Sequence, residues 1–282
     1  MKSRLLVVHT GGVGDFICTF PALSALARSV SIEVAGLPER VALARAAGIA
    51  DAVYDLESTG FASVFSEPNG RFRAFAARFD RALVWMADHD GKIAAGLMRS
   101  GISAVRCAPG IPPGAWDRHA AEWYACASDT AVSLPFQAPF ERGRREVDVL
   151  IQPGSGSRSK NWPLANFEAL AGQLEAAGCR VAWCLGPAEE EWPSRPNALP
   201  PMPLVELAGV LAGARLFVGN DSGISHLAAA TGCPTVAIFG PTNPRLWRPA
   251  GPCVRALGGC GVWPDLDGVF GAANALRAGS GF

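Results

Sequence analysis

One plan occurs twice in this chain and restricts its fold more than any other feature: a short apolar run, a cluster of small residues, then a helical pattern. It appears first as residues 5–8, the turn Thr10-Gly11-Gly12-Val13-Gly14-Asp15, and a helix with Phe16, Leu23 and Leu26 on one stripe. It returns as residues 147–152, a glycine-serine turn, and a helix with Phe167, Leu170, Ala171 and Leu174 at helical spacing, with Pro163 in its first turn and Gly178 at its end. Further apolar runs at 32–35, 53–56, 82–85 and 104–107 follow the first turn. Runs at 181–185, 216–218 and 235–239, with helices near 203–213 and 223–231, follow the second. Short apolar runs alternating with helices predict parallel sheets covered on both faces. Residues 133–146, with Pro135, Pro139 and a charged cluster at 142–146, interrupt the rhythm and read as an interdomain linker. The expected fold is α/β: two Rossmann-like domains, residues 1–136 and 147–282, with parallel sheets facing across a cleft.

The chain of 282 residues is long enough for two cores without disulfide or metal support. Its 25 basic and 25 acidic residues balance, so no global field gathers nucleic acid and any anionic ligand must be held locally. Eight cysteines form no CxxC pair and stand at no metal-ligand spacing from the histidines, so reduced thiols and no metal site are expected. Residues 1–9 read as a strand rather than a secretory signal, and no apolar stretch approaches the roughly 20 residues of a membrane span. A cytoplasmic protein follows, one that can still touch a membrane surface.

Three segments carry chemistry. In the first, Gly12 and Gly14 let the backbone pass close to a ligand, and Asp15 falls at the carboxyl end of a strand, where α/β sheets gather ligands. From this turn alone the better reading of Asp15 is a helix cap, and the turn fits neither a P-loop nor GxGxxG. In the second, Gly154, Ser155, Ser157 and Lys160 can meet a diphosphate with amides, hydroxyls and one cation; a solvated turn has the same composition. In the third, Ser222 and Gly223 open a helix whose first amides favour a phosphate or sugar oxygen, and Asp221 can accept from sugar hydroxyls or act as a cap. His226, one turn into an apolar helix, reads as a structural histidine, and the closeness of Ser, His and Asp here is no evidence of a triad.

Together these residues resemble a family. Gly14-Asp15 with Thr19-Phe20-Pro21-Ala22-Leu23, Gln152-Pro153-Gly154 through Lys160-Asn161-Trp162-Pro163, and Asp221-Ser222-Gly223-Ile224-Ser225-His226 with Phe239-Gly240-Pro241-Thr242 are similar in order and spacing to the ADP-heptose:lipopolysaccharide heptosyltransferases. The resemblance implies a GT-B fold with an acceptor-binding first domain and a donor-binding second domain. It implies Asp15 as general base, Lys160 on the donor phosphates, Asp221 on the sugar, and Ser222 and Gly223 at a phosphate-binding helix start. The implied reaction is inverting, metal-free transfer of a sugar from a nucleotide-sugar co-substrate, ADP-heptose, to a lipopolysaccharide core or other surface glycan. His9 stands where these enzymes often carry a basic residue. A catalytically silent nucleotide-sugar-binding module of the same fold is the competing class, and a sugar epimerase would need a further carboxylate pair that the sequence does not identify.

The acceptor is the least determined element. Residues 71–81 interleave four arginines with Phe72, Phe75 and Phe79, which share a helical face. Arg71, Arg78 and Arg81, with Gly12 and Gly14, are candidates for holding an acceptor phosphate, and the cations suit peripheral contact with an anionic membrane surface. A helix that buries its phenylalanines and solvates its arginines has the same pattern.

Overall fold

In a computed structural model, residues 2–143, 147–186 and 195–279 are described. The chain divides into two compact units, Met1–Ser133 and Leu134–Phe282.

The first unit runs β1 (Arg4–His9), α1 (Val13–Leu26), β2 (Ser31–Gly36), α2 (Pro38–Ala46), β3 (Ala52–Asp55), α3 (Leu56–Thr59), a 3₁₀ turn (Phe61–Phe65), α4 (Gly70–Ala76), β4 (Arg81–Trp85), α5 (Lys92–Arg99), β5 (Ala104–Cys107) and α6 (Ala120–Ala127). Its five strands are all parallel in the order β3-β2-β1-β4-β5. Alternation along β1 divides the core. Leu6 and Val8 join Phe72, Phe79, Val84, Ile93 and Leu97 on one face, while His9 packs its ring against Phe16 of α1, Trp85 and Tyr124 of α6 on the other. α4 stops at Ala76, so Phe79 reaches the core from the loop beyond it rather than from a shared helical face with Phe72.

The second unit runs β6 (Val149–Gln152), a 3₁₀ turn (Arg158–Lys160), α7 (Leu164–Ala176), β7 (Val181–Trp183), α8 (Leu204–Gly213), β8 (Leu216–Asn220), α9 (Gly223–Ala230), β9 (Thr235–Phe239), α10 (Pro244–Trp247), β10 (Val254–Gly258) and α11 (Leu266–Gly279). Its sheet is again parallel, but its order is β10-β9-β8-β6-β7. Val149, Ile151, Val218, Val236 and Ile238 meet Trp162, Phe167, Leu170 and Leu174 from the α7 side and Val269 and Ala273 of α11. The alternate residues Leu150, Phe217 and Ala237 are equally buried, as a sheet covered on both faces requires.

The two units therefore wind differently. In the first, the chain lays three strands outward and then reverses, so the strand order switches between β1 and β4. In the second, it reverses after two strands, so the switch falls between β6 and β8. Open α/β sheets bind ligands at the carboxyl ends of the strands beside such a switch.

The segment read as a linker belongs largely to the second unit. Phe136 N–H donates to Ala250 O at 2.7 Å, Ala138 N–H to Ala230 O at 2.8 Å and Gly143 N–H to Gly209 O at 2.9 Å, while Arg142 Nε reaches Ala212 O at 3.0 Å. Its prolines remove backbone donors at 135 and 139 without preventing the amides of Phe136, Ala138 and Gly143 from pairing. Residues 144–146 of its charged cluster lie outside the described residues.

Candidate functional site

In the first unit the glycine turn follows β1, at the switch beside β4. Gly12 is the N-cap of α1, in extended backbone, and Asp15 is the third helical residue. With no side chain at the cap, the carboxylate supplies the partner: Gly12 N–H donates to Asp15 Oδ2 at 3.0 Å. Asp15 is thus a capping group, in the reciprocal position of a capping box rather than at the cap itself. It is also half-exposed at the carboxyl end of the central strand, where a ligand can reach it.

Gly11 is required by its neighbours. A Cβ there would stand 2.8 Å from His9 Cε1 and 3.2 Å from Asp15 Cβ. Arg40 donates through Nη1 to Gly11 O, fixing the turn from the α2 side. His9 is 2% exposed, and its Nε2 has no hydrogen-bond partner among the described residues. Burial, reinforced by the charge of Arg40, pushes the imidazole down to about 4, so it is neutral at pH 7. Tyr124 donates its hydroxyl to Gly110 O at 2.6 Å; burial first, and then the charges of Asp15 and Cys18, raise its pKa.

The arginine segment does not join this turn. Arg78 donates to Glu33 Oε2 at 2.9 Å and to the Tyr54 hydroxyl, and its guanidinium stacks on the rings of Tyr54, Phe75 and Phe79. Glu33 also accepts from Arg4 Nε at 2.9 Å. Burial pushes the Glu33 carboxyl up, but the hydrogen bonds from Tyr54, Arg4 and Arg78 outweigh it and hold it below its usual range. Arg81 opens β4 opposite Leu5, whereas Trp85 closes that strand opposite His9. Four residues of strand rise, about 13 Å, separate the two ends of β4. Arg78 and Arg81 therefore lie toward the amino ends of the strands, opposite the glycine turn, which corrects their assignment as acceptor ligands beside Gly12 and Gly14. Arg71 is exposed on α4.

In the second unit the loops after β6, β8 and β9 meet at the carboxyl edge. Lys160 Nζ lies 2.9 Å from Asp221 Oδ2, and Thr242 donates its hydroxyl to the same oxygen at 2.8 Å. Two residues read separately from sequence are thus one ion pair across the switch point. Asp221 is 6% exposed, whereas the lysine side chain is 34% exposed.

Beneath this pair, Asn220 is fully buried and joins both ends of the glycine-serine turn. Its Oδ1 accepts from Trp162 N–H at 2.9 Å and its Nδ2 donates to Pro153 O at 2.7 Å. Ser155 is turned inward, with Oγ 2.7 Å from Asn161 Oδ1 and 2.8 Å from Ser157 O. Its hydroxyl builds the turn rather than facing a ligand. Ser157 is exposed, with its hydroxyl 2.9 Å from that of Ser159, and Gly154 is buried at the foot of the turn.

Ser222 is the N-cap of α9. Its Oγ accepts from Ser225 N–H at 3.3 Å and donates to Gln152 Oε1 at 2.9 Å. Its side chain is therefore committed to the scaffold, and what α9 offers a ligand is its first backbone amides, including that of Gly223.

Asn220, Thr242, His9 and Arg40 were not assigned site roles from sequence. Thr242 ends a quoted motif and Asn220 directly precedes another, and an Asn closing an apolar strand was a usable signal. The seating of Arg40 on Gly11 had none. Burial pushes the Cys233 thiol up to about 12. Among the described residues, no helix is long and apolar enough to cross a membrane.

The sequence matches the family model for glycosyltransferase family 9 (heptosyltransferase) over residues 125–265. It is 31% identical to lipopolysaccharide heptosyltransferase 1 of Pseudomonas aeruginosa, in an alignment covering 86% of this chain and 79% of that protein. Among solved structures, the Escherichia coli ADP-heptose lps heptosyltransferase II matches with a TM-score of 0.75 at 20% identity, over 99% of each chain. The E. coli heptosyltransferase WaaC with ADP matches with a TM-score of 0.69 at 20% identity, over 99% of this chain and 100% of that one. These structures share the fold of two parallel-sheet α/β domains, the GT-B fold class expected from sequence.

Proposed function

The chain belongs to glycosyltransferase family 9, the heptosyltransferases, and from that premise we propose that it transfers heptose from ADP-heptose to the core of a lipopolysaccharide. The observation that carries the site assignment is the position of the two clusters. Asp15 stands at the switch point of the first sheet, and the Lys160–Asp221 pair stands at that of the second. In this reading the first unit takes the acceptor and the second takes the donor.

Asp15 accepts the proton of the acceptor hydroxyl as that oxygen attacks the anomeric carbon, and the bond to the nucleoside diphosphate breaks. Positioned base catalysis of this kind commonly contributes about 10²- to 10⁴-fold. Lys160 and the first amides of α9 meet the charge that develops on the leaving diphosphate, as fixed donors do where charge appears. Asp221 accepts from sugar hydroxyls, and Gly154 and Ser157 bring backbone and hydroxyl groups to the same ligand. The reading places the enzyme in the cytoplasm, meeting a glycolipid acceptor at the inner face of the membrane, with exposed Arg71 the arginine of its segment best placed to meet an anionic acceptor.

Incubation with ADP-heptose and a heptose-deficient lipopolysaccharide, with release of ADP as the readout, tests the reaction. Wild-type protein is expected to release ADP only when both substrates are present. Asp15→Asn is expected to lower turnover at least 100-fold with ADP affinity retained. A folded wild type that releases no ADP from this pair rejects the substrate assignment. Full turnover in Asp15→Asn rejects the base.

A further inference from the structure

The Lys160–Asp221 pair poses a problem for a lysine that must reach a diphosphate. Asp221 is buried, and withdrawing a counter-ion from a buried carboxylate is costly unless another donor stays. Thr242 is that donor, because its hydroxyl and the ammonium share one oxygen, Oδ2. The two donors differ in freedom. Lys160 is a long side chain on a 3₁₀ turn among exposed residues. Thr242 is held by its backbone: Cys260 N–H donates to Thr242 O at 3.0 Å, and Gly261 N–H donates to Gly240 O at 2.8 Å. The turn that carries Cys260 and Gly261, closed by an antiparallel bridge between Gly259 and Val262, is itself tightly seated. Gly259 has φ +119°, and a Cβ there would lie 2.4 Å from Pro244 Cδ.

We propose that Thr242 is a positioning residue that keeps Asp221 satisfied when Lys160 leaves it for the donor diphosphate, so that the hydroxyl of Thr242 sets how readily Lys160 is released. This rests on the reading that Lys160 meets the diphosphate. Without the hydroxyl, Asp221 competes harder for the ammonium, and the diphosphate binds more weakly although Thr242 does not touch it. Once Lys160 is absent, the hydroxyl has nothing left to release.

ADP binding by calorimetry to the wild type, Thr242→Val, Thr242→Ser, Lys160→Ala and the Lys160→Ala/Thr242→Val double variant tests this. Thr242→Val preserves shape at a half-buried position. It is expected to weaken ADP about 10- to 100-fold, the scale of one hydrogen bond to a charged group, and Thr242→Ser is expected to restore binding to within about 2-fold. In the Lys160→Ala background, Thr242→Val is expected to change ADP affinity by less than about 2-fold, a coupling that a purely structural threonine lacks. An equal loss in both backgrounds, or no loss in either, overturns the role of Thr242 while leaving Lys160 on the diphosphate. Unchanged ADP affinity in Lys160→Ala removes Lys160 from the diphosphate and overturns this inference with it.

Discussion

His9 makes the first unit sensitive to acid in a way that can be calculated. Its imidazole titrates at about 4 in the fold against an ordinary 6.5, with burial as the larger cause and Arg40 the smaller. Between those values the unfolded chain binds a proton that the folded chain refuses. The stability tied to neutral His9 is thus fully present above pH 6.5 and is lost as pH falls toward 4. At 1.36 kcal/mol per pH unit, descending from pH 7 to 4.5 removes about 2 to 3 kcal/mol. His9→Leu keeps an apolar side chain of similar size in the cluster with Phe16, Trp85 and Tyr124, and removes a buried nitrogen without a partner among the described residues. Hydrogen exchange at β1 and β4 amides, corrected for intrinsic rates, measures the opening free energy of this unit at both pH values. The wild type is expected to lose about 2 to 3 kcal/mol more than His9→Leu over that interval. Parallel losses in the two proteins, or an NMR titration placing folded His9 near 6.5, would refute the reasoning.

Two further substitutions probe the scaffold. Asn220→Asp exchanges the amide that donates to Pro153 O for a group that cannot donate when ionised; a loss of about 1 to 3 kcal/mol and faster proteolysis within residues 153–162 are expected, and an unchanged Tm would contradict the stapling role. Gly96→Ala in α5 would place a Cβ 2.3 Å from Val64 O, so it is expected to destabilise by about 1 to 3 kcal/mol although alanine is the better helix former; a raised Tm would show that the 3₁₀ turn yields.

The strands between Arg4 and Cys107 were legible because apolar runs bounded by helices leave few alternatives. β10 and α11 were not. β10 is an edge strand with Arg255 as its second residue and Gly258 at its end, and α11 carries Gly268 and Gly271 inside its helix, where glycine opposes the local signal. The glycine turns announced themselves, but the differing strand orders did not, since pairing is decided by packing between distant elements. Sequence placed Lys160 and Asp221 at ligand-facing edges, yet their 61-residue separation concealed that they hold each other. The arginine segment failed in a related way. Spacing identifies which residues share a face, but Arg78 and Arg81 were misassigned because spacing does not say which end of a sheet the segment abuts.

The different winding of the two sheets also fixes when each edge can be completed during synthesis. β1, the centre of the first sheet, is made first, and its neighbour β4 is complete once Trp85 has emerged, so the Asp15 turn is enclosed early. In the second sheet the central strand β8 is made third, and Lys160 must wait for Asp221 and then for Thr242, 82 residues further along the chain than itself. A nascent chain from which residue 220 has not yet emerged carries the glycine-serine turn without the strand end, Asn220, that closes it. Contacts of such sequence separation form slowly. A translational pause once residue 242 has emerged from the ribosome therefore gives the donor edge time to assemble, while a pause before residue 220 has emerged prolongs exposure of an open β6 edge.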